Sequence, residues 1–363
     1  MAENETQTPT QEQPVAPQIP GIFAPPAPDL KWMKAPTERP PRIREIPPEG
    51  LTLRMADYGS YGQAPDRWPY ENDTPRGAVP SKEMGLPAPY TIYDKLEVWA
   101  ENSADLYESA IRERWKPSTD IPWGSIEPLP DHIEASIDQI MSNISEQSYN
   151  SCQVLSGWLK EISYGFHEVK LYLATQVFDQ ARHTEVFRKR ALANGGGLGV
   201  QSPGFFSRTV YGSFKFTEFT IYVNIMRTSF LLALCEFGLG KIARSQVDRQ
   251  LFELTAKDLR RHLAYGVEHL RHYVLQGGEQ KRRNVRTWLD RGEVMMAVDL
   301  KRDKAMREAV ILATGDTVAA GKAGLKELRE AQLKRYLQAL DSAAYRGRGE
   351  HIVPTLREVI ETP

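Results

Sequence analysis

From residue 90 onward, apolar residues recur every three to four positions, the periodicity of helices that bury one face. The spacing predicts a first amphipathic helix over residues 92–115, halted by Lys116-Pro117 and the Ile121-Pro122-Trp123 turn. A second is predicted over 131–163, where Tyr164-Gly165 breaks it, and a third over 168–193, ahead of the Gly195-Gly196-Gly197 loop. A fourth covers 213–238 and a fifth 245–276, ending at Gly277-Gly278. After a polar, basic link come shorter helices over 285–297 and 303–314, then a longer one over 317–345. The charged, Ala-rich composition of that last helix suits a face turned to solvent or to a partner. Strand-like alternation of useful length is missing, so the fold class expected is all-α.

Upstream of residue 90 the periodicity disappears. Roughly half of the 25 prolines fall in the first fifty residues, in runs such as Ala24-Pro25-Pro26-Ala27-Pro28 that exclude helix and central strand. Residues 1–50 are therefore expected to be an extended or disordered arm. Residues 51–89 add Tyr58, Tyr61, Trp68 and Tyr70 to many Gly and Pro, which suits an irregular strap packed on something else. Residues 90–278 follow as a helical bundle and 279–363 as a C-terminal helical extension.

Bulk composition narrows the partners. At 363 residues with 41% hydrophobic and 26% charged, the chain can bury a sizeable core. A formal net charge of −1 and a pI near 6.7 give no global attraction to nucleic acid or to an anionic membrane. Cys152 and Cys235 lie in apolar helical surroundings and are expected as reduced thiols, not a disulfide framework. The N-terminus lacks a basic segment followed by an apolar one, so the expected compartment is the cytoplasm. The longest apolar stretch, residues 216–239, is interrupted by Glu218, Asn224, Arg227 and Glu236, which fits a core helix and not a membrane span.

The candidate chemistry lies in a repeated pattern. Asp179-Gln180-Ala181-Arg182-His183 and Asp258-Leu259-Arg260-Arg261-His262 each fall inside a predicted helix. A dinuclear metal centre in a helical bundle takes a Glu and a His three residues apart on each of two helices, because that spacing points both side chains inward. Here the carboxylate positions read Gln180 and Leu259.

The segment from Leu173 to Phe187 resembles the metal helices of the ferritin-like carboxylate-bridged diiron proteins, which include ribonucleotide reductase small subunits, related ligand-binding oxidases and hydroxylase subunits of bacterial multicomponent monooxygenases. Their metal helices commonly read Asp-Glu-x-Arg-His. The second copy, with Asp258, Arg261, His262 and then Ala264-Tyr265-Gly266, is similar to the partner helix, and Trp115-Lys116-Pro117-Ser118-Thr119-Asp120-Ile121 to the turn that precedes the bundle. The resemblance, over residues 105–274, implies a ferritin-like four-helix bundle with extra helices and an extended N-terminal arm. It makes His183 and His262 metal ligands, and Asp179 and Asp258 the acids that orient a His by hydrogen bond. The remaining family carboxylates would stand near 148–150 and 223–225, where this chain offers only Asn150 and Asn224, with Glu146 half a turn away.

Two arrangements of these residues remain open. Asp179 and His183, like Asp258 and His262, are four apart and share a helix face, so with Glu146 they could hold a single ion. Alternatively each Asp pairs with a His across helices as a satisfied polar core. Two imidazoles alone cannot offset the repulsion of two adjacent cations, and Leu259 adds apolar burial worth roughly 2 kcal/mol in place of a ligand. Elsewhere, His269 and Glu268/His272 recur near His262, and some of this group are expected at the surface. Glu218 and Glu236 are expected as ion-paired or solvent-facing acids. The Gly195–Gly199 run lacks the strand and lysine of a phosphate loop and reads as a helix connection.

Three functions compete. The favoured one is a metal-poor, noncatalytic ferritin-like subunit that pairs with a homologous metal-bearing chain, or with itself as a homodimer, in an oxygen-dependent oxidoreductase assembly of monooxygenase hydroxylase type. In that case the chain has no cofactor of its own. The alternative is an oxidoreductase in its own right, with iron or manganese at a nonstandard mono- or dinuclear site oxidising an apolar small-molecule substrate. A module housing an apolar ligand comes third, since no sequence feature selects it over core packing.

Overall fold

The computed structural model of the chain describes residues 30–363 apart from 40, 49, 69–72 and 84. The proline run at 24–28 and Tyr70 lie outside the described residues. The chain divides into two compact units, Met1–Thr37 and Glu38–Pro363; in the first, the described part holds one 3-10 turn, Leu30–Lys34.

Regular structure among the described residues of the second unit is helical, with only isolated bridges at Arg67–Asp94 and Ile92–Ile162. After the short α1 (Leu53–Ala56) come α2 (Ser103–Arg112), α3 (Asp131–Leu159), α4 (His167–Ala193), α5 (Phe205–Tyr211) and α6 (Phe216–Thr220). A π-helical segment, Ile221–Arg227, joins α6 to α7 (Thr228–Lys241), and α8 (Gln246–Gln276) follows. The C-terminal part is α9 (Gly278–Arg302), α10 (Lys304–Thr314), α11 (Val318–Ser342), α12 (Arg348–His351) and α13 (Pro354–Glu361). α3 packs along α4 and α7 along α8, in a bundle-like arrangement around two apolar clusters. One cluster gathers Phe166, Tyr172, Phe219, Tyr265 and Leu289, the other Ile140, Phe187, Leu232, Phe252 and Leu259.

The predicted helices at 131–163 and 168–193 appear with shifted ends, and the apolar stretch Phe216–Lys241 is a core helix with 78% of its most apolar window buried. Its widening into a π-helical segment matters, because π-bulges concentrate at functional positions. All seven side chains of the segment are buried, Asn224 among them. α8 approaches it closely because Gly266 has no side chain; a Cβ there would stand 2.6 Å from the Cβ of Asn224. α8 is also firmly started, since Ser245 and Asp248 satisfy one another's backbone N–H in a capping box.

Two expectations need correction. The helix predicted over 92–115 is α-helical only from Ser103 to Arg112. The carbonyls of Val98 and Trp99 accept hydrogen bonds from Tyr265 Oη and His269 Nδ1 of α8, at 3.1 Å each, and are taken from the helix ladder. His269 is thereby fully buried, with Thr217 donating to its Nε2 at 3.0 Å, while Glu268 and His272 are partly exposed. The supposed polar link after Gly278 is the start of α9, a continuous 25-residue helix. α11 keeps an exposed face with Lys322, Lys326, Glu330 and Lys334 and packs the opposite face, with Leu325, Leu328, Tyr336 and Leu340 buried.

The strap residues are tied to the bundle. Trp68 enters the core against Gly165, and Arg76 is hydrogen-bonded to Glu168 and to Gly165 O. Glu218 and Glu236 are both ion-paired, Glu218 with Arg291 at 3.4 Å and Glu236 with Arg260 at 2.9 Å. At one end of the bundle, buried Arg190 of α4 reaches Asp248 at 2.5 Å and Glu134 at 2.6 Å, so three helices share one cation.

Candidate functional site: a crossed ion-pair network

α4 and α8 bring the two repeated motifs together. With spacings of three and four, Asp179, Arg182 and His183 lie on one buried face of α4, and Asp258, Arg261 and His262 on one buried face of α8. The pairing crosses between the helices. His183 Nε2 stands 3.0 Å from Asp258 Oδ2, and His262 Nε2 stands 3.1 Å from Asp179 Oδ2.

Each arginine also serves both acids. Arg182 is hydrogen-bonded to Asp179 on its own helix and to Asp258 at 3.0 Å, while Arg261 is hydrogen-bonded to Asp258 and reaches Asp179 at 3.3 Å. Trp115 closes the network from the turn after α2: its indole Nε1 donates to Asp258 Oδ2 at 2.9 Å, and its carbonyl accepts from Arg182 Nη1 at 2.7 Å. Arg261 further reaches Glu113 at 3.1 Å. Of the two arrangements open in the sequence, cross-helix pairing is therefore the one present.

Two carboxylates against two guanidiniums leave the interior close to neutral, which a buried polar set requires. Burial opposes the charge of Asp258, but the hydrogen bond from His183 and the nearby Arg182 and Arg261 hold its carboxyl well below the usual range. Burial likewise works against Arg261, and the Asp258 and Asp179 charges more than offset it, raising its pKa. For His262 burial prevails over Asp179 and the pKa is lowered, so the ring stays neutral.

Because an ionised carboxylate only accepts, both imidazoles carry a proton on Nε2. A neutral His262 then presents the Nδ1 lone pair inward. Gln180 meets it, with Nε2 3.4 Å from His262 Nδ1. The two rings are 6.1 Å apart between centroids. Asn224 of the π-helical segment donates to Gln176 Oε1 and to His262 O, both at 3.0 Å. Gln180 Oε1, Gln176 Nε2 and Asn224 Oδ1 remain buried with no hydrogen-bond partner.

The donor set does not fit the carboxylate-bridged dinuclear centre that the resemblance implies. Gln180 offers an amide and Leu259 a hydrocarbon; Asp179 and Asp258 are spent on arginine, histidine and indole. Glu146 is engaged elsewhere, accepting from Ser202 N at 3.1 Å and Ser202 Oγ at 2.9 Å. Among the described residues, the one group of three His, Cys, Asp or Glu with ligand atoms all within 4.8 Å is Asp57, His167 and Glu168. The Arg76 guanidinium contacts both of those acids, which makes that group an ion-pair clamp for the strap.

The sequence did not single out Arg182 and Arg261 as the compensating charges. The signal was present, since an arginine follows each motif Asp by three residues. No protein-family model matches the chain, and no curated protein matches it.

Proposed function

We propose that this chain is a metal-poor supporting subunit, ferritin-like in design, of an oxygen-dependent oxidoreductase assembly, in which a homologous chain carries the metal. One observation carries the reading: the acids of both motifs are consumed by a crossed set of arginine and histidine partners. A scaffold stabilised this way holds its shape without an ion. Support for a partner comes from the outer face of α4, where Leu171, Ala174, Phe178 and Ala181 form an exposed, largely apolar stripe. Phe178 is 49% exposed. The test is native mass analysis of the protein isolated from its own source at natural abundance. A second, metal-bearing helical chain in the same particle is expected; a particle containing this chain alone overturns the reading.

A second reading has a specific observation in its favour. Gln180 Oε1 and Asn224 Oδ1 are unpaired oxygens in the same interior as the two imidazoles, a neutral nitrogen and oxygen set for one ion. In that case the chain is an oxidoreductase itself. Stoichiometric iron or manganese that is lost on His262→Ala, with unchanged circular dichroism, would select it over the first reading.

A further inference from the structure

The turn between α8 and α9 opens onto an arginine-lined cleft. Gly278, at φ +69°, lets α9 start directly after α8, and the first turns of α9 carry Arg282, Arg283 and Arg286. Tyr345, Arg346 and Arg348, beyond the end of α11, face them across a concavity of about 310 Å³. That volume lies at the small end of ligand sites, roughly 300–1,000 Å³.

Among the described residues, Arg348 is the cleft arginine that is ion-paired within the fold. It is buried, and it pairs with Glu293 at 2.8 Å and Asp290 at 2.6 Å. Among the described residues no carboxylate lies within the 4.0 Å ion-pair distance of Arg282, Arg283, Arg286 or Arg346. Arg283 finds only the neutral Gln280 Oε1, at 2.7 Å. Burial raises the pKa of the Tyr345 phenol and the Asp290 charge adds to that, while the charges of Arg348, Arg286 and Arg282 act to lower it. Among the described residues, Glu279 is the one acid lining the cleft.

Like charges gathered on adjacent helical turns repel, and the chain as a whole carries a net charge of −1, so the concentration is local. Guanidinium forks pair in bidentate fashion with phosphate oxygens, and several such forks in one concavity match a ligand with several phosphates. A nucleic-acid duplex would need an extended basic stripe, whereas this charge is confined to one hollow.

We propose that the cleft binds a small polyphosphate anion, either inorganic or the phosphate chain of a nucleotide, through Arg282, Arg283, Arg286 and Arg346. The site is independent of the subunit role above.

Equilibrium dialysis of the full chain, in about 0.1 M salt to limit nonspecific attraction, tests it with tripolyphosphate and with ATP as probes. Both are expected to bind, and Arg286→Gln with Arg346→Gln to weaken both by about tenfold or more. Arg286→Lys, which keeps the charge but loses the fork, should fall between, and Arg112→Gln on α2 should change nothing. ATP bound tighter than tripolyphosphate assigns the site to nucleotides, and equal affinity assigns it to the phosphate chain alone. Absence of tripolyphosphate binding, affinity unchanged in the double variant, or displacement of both probes by a single-stranded oligonucleotide without terminal phosphates overturns the proposal.

Discussion

Arg182 and Arg261 are buried in the bundle, and each faces two aspartates, with the Trp115 carbonyl as a further acceptor for Arg182 and Glu113 for Arg261. Arg282, Arg286 and Arg346 gather the same charge around an open cleft, where among the described residues no carboxylate stands within 4.0 Å of them. The difference follows from water. In the core an unmatched guanidinium costs several kcal/mol, so the sequence supplies an Asp three residues before each arginine and a second Asp from the facing helix. At the surface, water screens the repulsion and the charge can remain unmatched. The buried set is thus a closed structural device, and the exposed set remains open to a ligand.

The largest expected effect falls on the closed set. Asp258→Ala leaves Arg182, Arg261, the Trp115 indole and His183 without a shared acceptor, and should cost about 3–5 kcal/mol in urea unfolding. A loss under about 1 kcal/mol would show that the network is not what closes the bundle.

Acidification comes next. His262 and His269 have lowered pKa values, both chiefly through burial, and His269 is pushed down to about 4. Unfolded imidazoles bind protons near pH 6.5 while these folded ones do not, so stability is full above that value and falls as pH drops toward 4. His269 alone should remove about 2 kcal/mol between pH 7 and pH 5. Asp258, with its depressed carboxyl, gives way only below the ordinary carboxylate range, so the two contributions separate along the pH axis. A melting temperature flat from pH 7 to pH 5 would contradict this assignment of the histidines.

The smallest effect belongs to the open set. Arg286→Gln should change stability by no more than about 0.5 kcal/mol, since it removes a repelling charge and no fold-internal partner. A large destabilisation would mean that the cleft arginines are structural and would erase the contrast with Arg182.

What could be read in the sequence follows the same physics. α3, α4 and α8 were visible because each keeps an apolar stripe at helical period over 27 residues or more. The first turns of α9 were hidden because residues 279–284 are polar or charged, leaving no apolar rhythm to distinguish helix from link. Helix 92–115 was overextended because its apolar spacing was sound, while the competing claim of Tyr265 and His269 on its carbonyls lies over 160 residues away. At the site, the shared face of each Asp and His was legible from a spacing of four. The choice between an ion and a crossed ion pair was not, since it depends on how α4 and α8 meet.

The central claim is that the interior between α4 and α8 is closed by its own ion pairs and does not hold a bridged metal pair. Anaerobic incubation of the purified chain with ferrous iron, followed by desalting and elemental analysis beside His183→Ala, tests it most directly. Substoichiometric iron with no difference between the two proteins is the predicted result. About two irons per chain, lost in His183→Ala with the fold intact, would contradict the account.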